Sequence, residues 1–148
     1  MILSLRHTLP STAPALHRLA ATCIETRLVT QFAHGGIIVG DQLLHATATG
    51  GVHSLPASVA NGWTQIDLGT EHDARALDLF ESVEGAGYDW VSLLAFVVAP
   101  ATDRHRWYCF ELCWLLMTGE PPRGRVTPER LLLLAMRMGG RLVMPAVR

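Results

Sequence analysis

The chain reads as an α+β protein in which a small antiparallel β-sheet packs against helices. Three observations carry this: a glycine-containing turn between two apolar runs at 33–47, an almost uncharged helical stretch at 106–119, and helix start and stop signals around 70–85 and 127–140.

The first element is a helix over 13 to about 25, because Leu16, Leu19, Ala20 and Cys23 keep helical spacing after Ser11, Thr12 and Pro14. A hairpin follows, in which Gly40-Asp41 separates two apolar runs and supplies the backbone freedom of a tight turn. With that pair at the turn, Val39 faces Gln42, Ile38 faces Leu43 and Gly36 faces His45. Side chains alternate along a strand, so His34 and His45 share a face as diagonal neighbours, roughly 7 Å or less apart.

Residues 50–56 form a loop or a short edge, and 63–68 alternate as another strand. Thr70-Glu71-His72-Asp73 has the pattern of a capping box with Asp in the last position, continued as a helix to Gly85. Residues 88–98 fit a short helix or a buried strand equally well. Thr102 or Asp103 is the expected N-cap of the next helix, which carries Cys109 in its first turn or two and ends at Gly119 before Pro121 and Pro122. Cys109, Leu112, Cys113 and Leu116 form one apolar stripe, Phe110, Trp114 and Met117 a second, and Glu111 is the only charge in the helix body, so this helix is buried on most sides. Thr127, Pro128 and Glu129 open the last helix, Gly139-Gly140 closes it, and 141–144 can return as a strand. No internal repeat, low-complexity segment or linker interrupts the pattern, which makes residues 1–148 one domain.

Composition narrows the function classes. A chain of 148 residues can bury about two thirds of its unfolded surface in a single core. Its twelve basic residues are all arginine and stand against thirteen acids, with no basic stripe of the kind nucleic acid requires. The absence of lysine excludes Schiff-base chemistry and a P-loop. The amino terminus lacks the basic and apolar regions of a signal peptide, and the longest apolar runs fall short of the 18 to 20 or so residues a membrane span needs. The chain is therefore expected to be soluble and not exported. Three cysteines, two of them one helical turn apart, read as free thiols.

Chemistry concentrates on His34, His45 and Cys109. A thiol near the start of a buried helix meets the positive end of the helix dipole, and a neighbouring imidazole can take its proton, which predicts a reactive thiolate near neutral pH. His7, His17, His53, His72 and His105 read as solvated or structural. Zinc is the competing reading, with His34, His45, Cys109 and Cys113 as four ligands, but the Cys-x-x-Cys knuckle is absent.

With His34 in Ala-His-Gly-Gly-Ile-Ile-Val-Gly, His45 in Leu-Leu-His-Ala, Gly51-Val52 after it, and Cys109 in Trp-Tyr-Cys-Phe-Glu-Leu, the chain resembles the circularly permuted branch of the NlpC-type papain-like cysteine hydrolases, which includes the lecithin:retinol acyltransferase-like proteins. The resemblance covers about residues 14 to 118. It implies a permuted papain-like fold with a catalytic His opening one strand, a polar third member on the next and a nucleophilic Cys on a later helix, positions matched by His34, His45 and Cys109. Gly87-Tyr88-Asp89-Trp90 is similar to a segment whose tyrosine hydroxyl lies near the cysteine in some members, which makes Tyr88 a candidate oxyanion donor. One departure is Phe110, where many members carry a small residue. The implied activity is a cysteine peptidase or amidase acting without a cofactor on bacterial cell-wall peptide (peptidoglycan). Alternatives are a thioesterase or acyltransferase using the same site, and a structural component of a phage tail or baseplate with virion or tail proteins as partners; the location the resemblance implies is the bacterial cytoplasm or a phage virion.

Overall fold

The computed structural model describes residues 1–7, 31–89 and 106–143. The helix expected over 13–25, the ambiguous residues 90–98 and the expected caps at 102–103 lie outside them.

Six strands form one sheet: β1 (Ile2–His7), β2 (Phe32–Val39), β3 (Gln42–Thr47), β4 (Gly51–Pro56), β5 (Thr64–Asp67) and β8 (Arg141–Val143). Their order is β4-β3-β2-β1-β5-β8, and every neighbouring pair is antiparallel. A separate parallel pair joins β6 (Gly87–Tyr88) to β7 (Arg106–Trp107). Among the described residues three α-helices accompany them: α1 (Asp73–Val83), α2 (Cys109–Thr118) and α3 (Pro128–Arg137). The α+β architecture follows the sequence pattern, and no helix among the described residues is long and apolar enough to cross a membrane.

The hairpin register is the one the Gly40-Asp41 turn dictates: Val39 pairs with Gln42, Ile38 with Leu43 and Gly36 with His45. Residues 51–56, read from sequence as a loop or short edge, form the edge strand β4, in which His45 pairs with His53 and Thr47 with Gly51. A second hairpin therefore turns through 48–50.

The sheet has two unlike faces. Leu3, Leu5, Ile37, Leu44, Ala46 and Val52 enter the main core with most of α2. The other face carries a smaller cluster of Ile38, Leu43 and Ala60, edged by Ile2 and Trp63. Strand alternation puts His34 and Gly36 with Ile38 on that smaller face and turns Gly35 toward α2.

The helix α2 is held at both ends. Tyr108, its N-cap, has no side-chain cap bond to the helix; instead its hydroxyl donates to the Val126 carbonyl (2.9 Å) and accepts from the Val126 N–H (3.0 Å). This replaces the expected start at Thr102 or Asp103 and makes Cys109 the first helical residue. At the other end Gly119 takes a left-handed conformation and donates to the Leu115 carbonyl, while Arg75 of α1 donates to the Met117 carbonyl at 2.8 Å. An arginine on an otherwise unpaired terminal carbonyl is favourable for both hydrogen bonding and the helix dipole. Both apolar stripes are buried apart from half-buried Trp114, as the helix body's lack of charge predicts.

The start of α1 corrects the capping-box reading: His72 is the N-cap without a side-chain bond, and Thr70 forms a turn whose carbonyl accepts from the Asp73 N–H. In α3, by contrast, Thr127 caps the Arg130 N–H and Pro128 occupies the first turn as expected.

Packing of α2 on β2 depends on Gly35. A Cβ there would lie 3.1 Å from the Phe110 ring and 3.2 Å from Leu5. Phe110 occupies the space that the missing side chain leaves. Gly35→Val is expected to lower stability by about 1–3 kcal/mol through overpacking. In urea titrations, Phe110→Leu introduced into that variant should recover part of the loss, whereas wild-type stability of Gly35→Val would refute the constraint.

Candidate functional site

The hairpin register brings His34 and His45 together. His34 Nε2 lies 3.1 Å from His45 Nδ1, and the rings meet edge to face with centroids 5.4 Å apart. On its other side His34 meets Trp63 edge to face at 5.6 Å, and the Arg6 guanidinium lies 5.8 Å from the centre of the same indole.

A third histidine extends the pair. His45 Nε2 lies 3.0 Å from His53 Nε2, and His53 Nδ1 donates to the Gly51 carbonyl at 3.1 Å. His53 was read from sequence as solvated or structural; the structure makes it part of the same row. The available signal was the Gly50-Gly51 pair. Treated as part of a second hairpin, with Thr47 opposite Gly51, it sets His53 directly across from His45.

Both ring nitrogens of His45 are committed to neighbouring rings, so the three imidazoles run in line and do not converge on a common point. Among the described residues no group of three histidine, cysteine, aspartate or glutamate side chains is arranged to hold a metal.

Cys109 reaches the strand that carries His34 at the adjacent residue. The backbone N–H groups of Gly35, Phe110 and Cys109 and the Tyr88 side chain lie close enough to its sulfur to favour the thiolate. Tyr88 is thus a direct partner of the thiol and not only a packing aromatic. Its strand pairing, Tyr88 with Trp107, places it beside the start of α2.

Burial sets the resting protonation states. Cys109 is 0% exposed, and loss of solvation pushes its thiol up to about 12 despite the nearby N–H groups and the Tyr88 side chain, which pull the other way. Burial, aided by His45, Arg6 and His53, brings His34 down to about 3; burial and His53 bring His45 down to about 4. Cys109 therefore rests as a neutral thiol at the start of α2, on the main-core face of the sheet, and His34 and His45 rest as neutral imidazoles on the opposite face; the structure brings the two histidines together but does not bring their rings to the sulfur. The neutral thiol corrects the thiolate expected near neutral pH: the nearby donors pull in the expected direction, but desolvation outweighs them. Cys113, one turn further into the core, is pushed up as well by burial and by Cys109.

On the far side of α2 a cleft is lined by Leu79, Val83, Asp89, Trp107, Glu111 and Arg123, among others, and none of Cys109, His34 or His45 lines it. Burial and the nearby Asp89 carboxylate raise Glu111 to about 7.

These shifts predict how stability responds to acid. His34 and His45 bind protons near pH 6.5 when unfolded but only near pH 3 and 4 when folded, so their stabilising contribution is complete above pH 6.5 and is lost as pH falls below it. Each loses at most about 1.4 kcal/mol per pH unit. Glu111 has the opposite sign: its raised value penalises the folded state above pH 7 and is relieved on acidification toward 4.5. The expected net loss between pH 6.5 and 4.5 is about 1.4 kcal/mol per unit, the two histidines less the one carboxyl. Urea titrations across this range test it, and His45→Gln should flatten the slope by roughly the share of one histidine; a pH-independent wild-type stability would contradict it.

No protein-family model matches this chain, and no curated protein matches it.

Proposed function

We propose that this protein is a thiol-dependent amide hydrolase in which Cys109 is the nucleophile, His34 the general base and His45 the residue that orients it. What supports this reading is the family resemblance together with the placing of the Cys109 thiol against the backbone of Gly35, the residue after His34; the His34 ring lies on the other face of β2, where it meets His45 through Nε2, so turnover requires a rearrangement that brings that ring to the sulfur. Nδ1 is then the ring nitrogen left for proton transfer. Resemblance to the permuted NlpC-type hydrolases makes a permuted papain-like fold the matching architecture and a bacterial cell-wall peptide the substrate class.

Starting from a neutral pair, attack and proton transfer occur together. As the Cys109 sulfur forms its bond to the carbonyl carbon, the thiol proton passes to His34, and the carbonyl oxygen becomes an oxyanion stabilised by N–H groups at the start of α2. The Tyr88 hydroxyl, released from the sulfur as its lone pair is used, is a second donor for that oxygen. Collapse breaks the carbon–nitrogen bond, and His34 returns its proton to the departing amine. Water then attacks the thioester with His34 as base, giving a carboxylic acid and the free thiol. Because Cys109 is fully buried, substrate reaches the sulfur only when the side chains over it open.

The test is turnover of peptidoglycan-derived peptides, with acyl thioesters as a second substrate class. Cys109→Ala and His34→Ala should each abolish peptide cleavage, while His45→Ala retains residual activity and His45→Gln recovers part of the loss. Catalysis requires unprotonated His34, so activity should hold from neutral pH to about pH 4 and fall to half near pH 3, wherever the fold persists. At pH 7 the wild type should show no thiolate absorbance near 240 nm beyond that of Cys109→Ala. Turnover of thioesters alone would move the assignment to a thioesterase, and undiminished peptide cleavage by Cys109→Ala would end it.

A further inference from the structure

The three histidines pose a problem of proton placement. A neutral imidazole carries one N–H and one bare nitrogen, so each contact in the row needs a donor on one side and a lone pair on the other. Two arrangements satisfy both ring-to-ring contacts, one the reverse of the other. In the first, His34 donates to His45 and His45 to His53; in the second, His53 donates to His45 and His45 to His34. Only the first leaves a lone pair on His34 Nδ1.

The end of the row decides between them. His53 Nδ1 lies 3.1 Å from the Gly51 carbonyl oxygen, which can only accept. His53 therefore carries its proton on Nδ1 and presents a bare Nε2 to His45, 3.0 Å away. His45 must answer with an N–H on Nε2, leaving Nδ1 bare for His34 at 3.1 Å. His34 then donates from Nε2, and its own Nδ1 is bare.

The Gly51 carbonyl is held rigidly enough to act as this reference point. Gly51 has φ +65°, and a Cβ there would lie 2.3 Å from the Ala86 oxygen. Its neighbour Val52 donates to the Ala86 carbonyl and accepts from the Gly85 N–H, both at 2.9 Å. Pairing of Thr47 with Gly51 holds the other side of the strand.

We propose that His53, anchored on the Gly51 carbonyl, is a positioning residue that fixes the tautomers of His45 and His34 so that His34 presents a bare Nδ1. The catalytic consequence rests on the hydrolase reading; the tautomer assignment does not. His53 touches no reacting atom and acts through the two rings before it. Without the anchor, both directions of the row become accessible, and the reversed one puts a proton on the nitrogen that must accept one.

Long-range imidazole ¹⁵N–¹H correlation on the full chain at pH 7 reads the tautomers directly. The expected wild-type pattern is an N–H on Nδ1 of His53 and on Nε2 of both His45 and His34. In His53→Leu, the His45 and His34 signals should move to values averaged between tautomers. In His53→Gln, whose amide oxygen can accept from His45, they should stay close to wild type. A wild-type N–H on His34 Nδ1, or a folded His53→Leu with unchanged His34 signals, would overturn the proposal. If His53→Leu does not fold, the wild-type pattern and His53→Gln still decide it. In turnover, His53→Leu should lower kcat about tenfold with KM little changed, as loss of an orienting partner does, and His53→Gln should restore most of it. The expected tautomers in a protein that cleaves no amide would leave this inference standing and remove the hydrolase reading.

Discussion

The contact between Gly35 and the first turn of α2 is the constraint on which the rest of the arrangement depends. A helix can lie with its first turn close against a strand's backbone only where the strand carries no side chain, and Gly35 is that place. Phe110 fills the adjoining space, Tyr108 pins the helix start to Val126 from the opposite side, and the thiol is left against the backbone next to His34. Packing and candidate chemistry are thus fixed by one close approach, and a side chain at residue 35 would disturb both.

Burial of that contact has an electrostatic result that local motifs do not convey. Placing a cysteine at a helix start favours its thiolate, and four donors around the sulfur add to the effect, yet complete removal from water is larger than their sum. The same holds for the histidines, which sit among other potential positive charges and are held neutral. On the proposed hydrolase reading, such a site would create its charges only as the bond to substrate forms.

The sequence was most informative where periodicity and turn chemistry agreed. The Gly40-Asp41 turn set the β2–β3 register, and with it the meeting of His34 and His45, because one residue of slip would have sent every apolar side chain to the wrong face. The α2 stripes and the α3 cap were legible for similar reasons. Less was visible where tertiary partners replace local signals. Thr70 offered a capping pattern but lies outside the helix, and α2 starts at Tyr108 because that hydroxyl finds the Val126 backbone 18 residues away. His53 was missed because its role depends on pairing of an edge strand whose 48–50 turn lacks a strong dipeptide signal. The partnership of Tyr88 with the thiol came only from family likeness, and the shift of Cys109 toward the neutral form required knowledge of burial that no local motif carries.

The pair of hydrogen bonds joining Val52 to Gly85 and Ala86 works as a mechanical spacer. One arm of it is Gly51, whose oxygen terminates the imidazole row; the other leads within two residues to Tyr88, whose side chain bonds the sulfur. The two ends of the candidate site, far apart along the chain, are thereby gauged against a single point on the sheet edge. A displacement of the 84–86 turn would move the carbonyl that ends the imidazole row and the tyrosine beside the sulfur together.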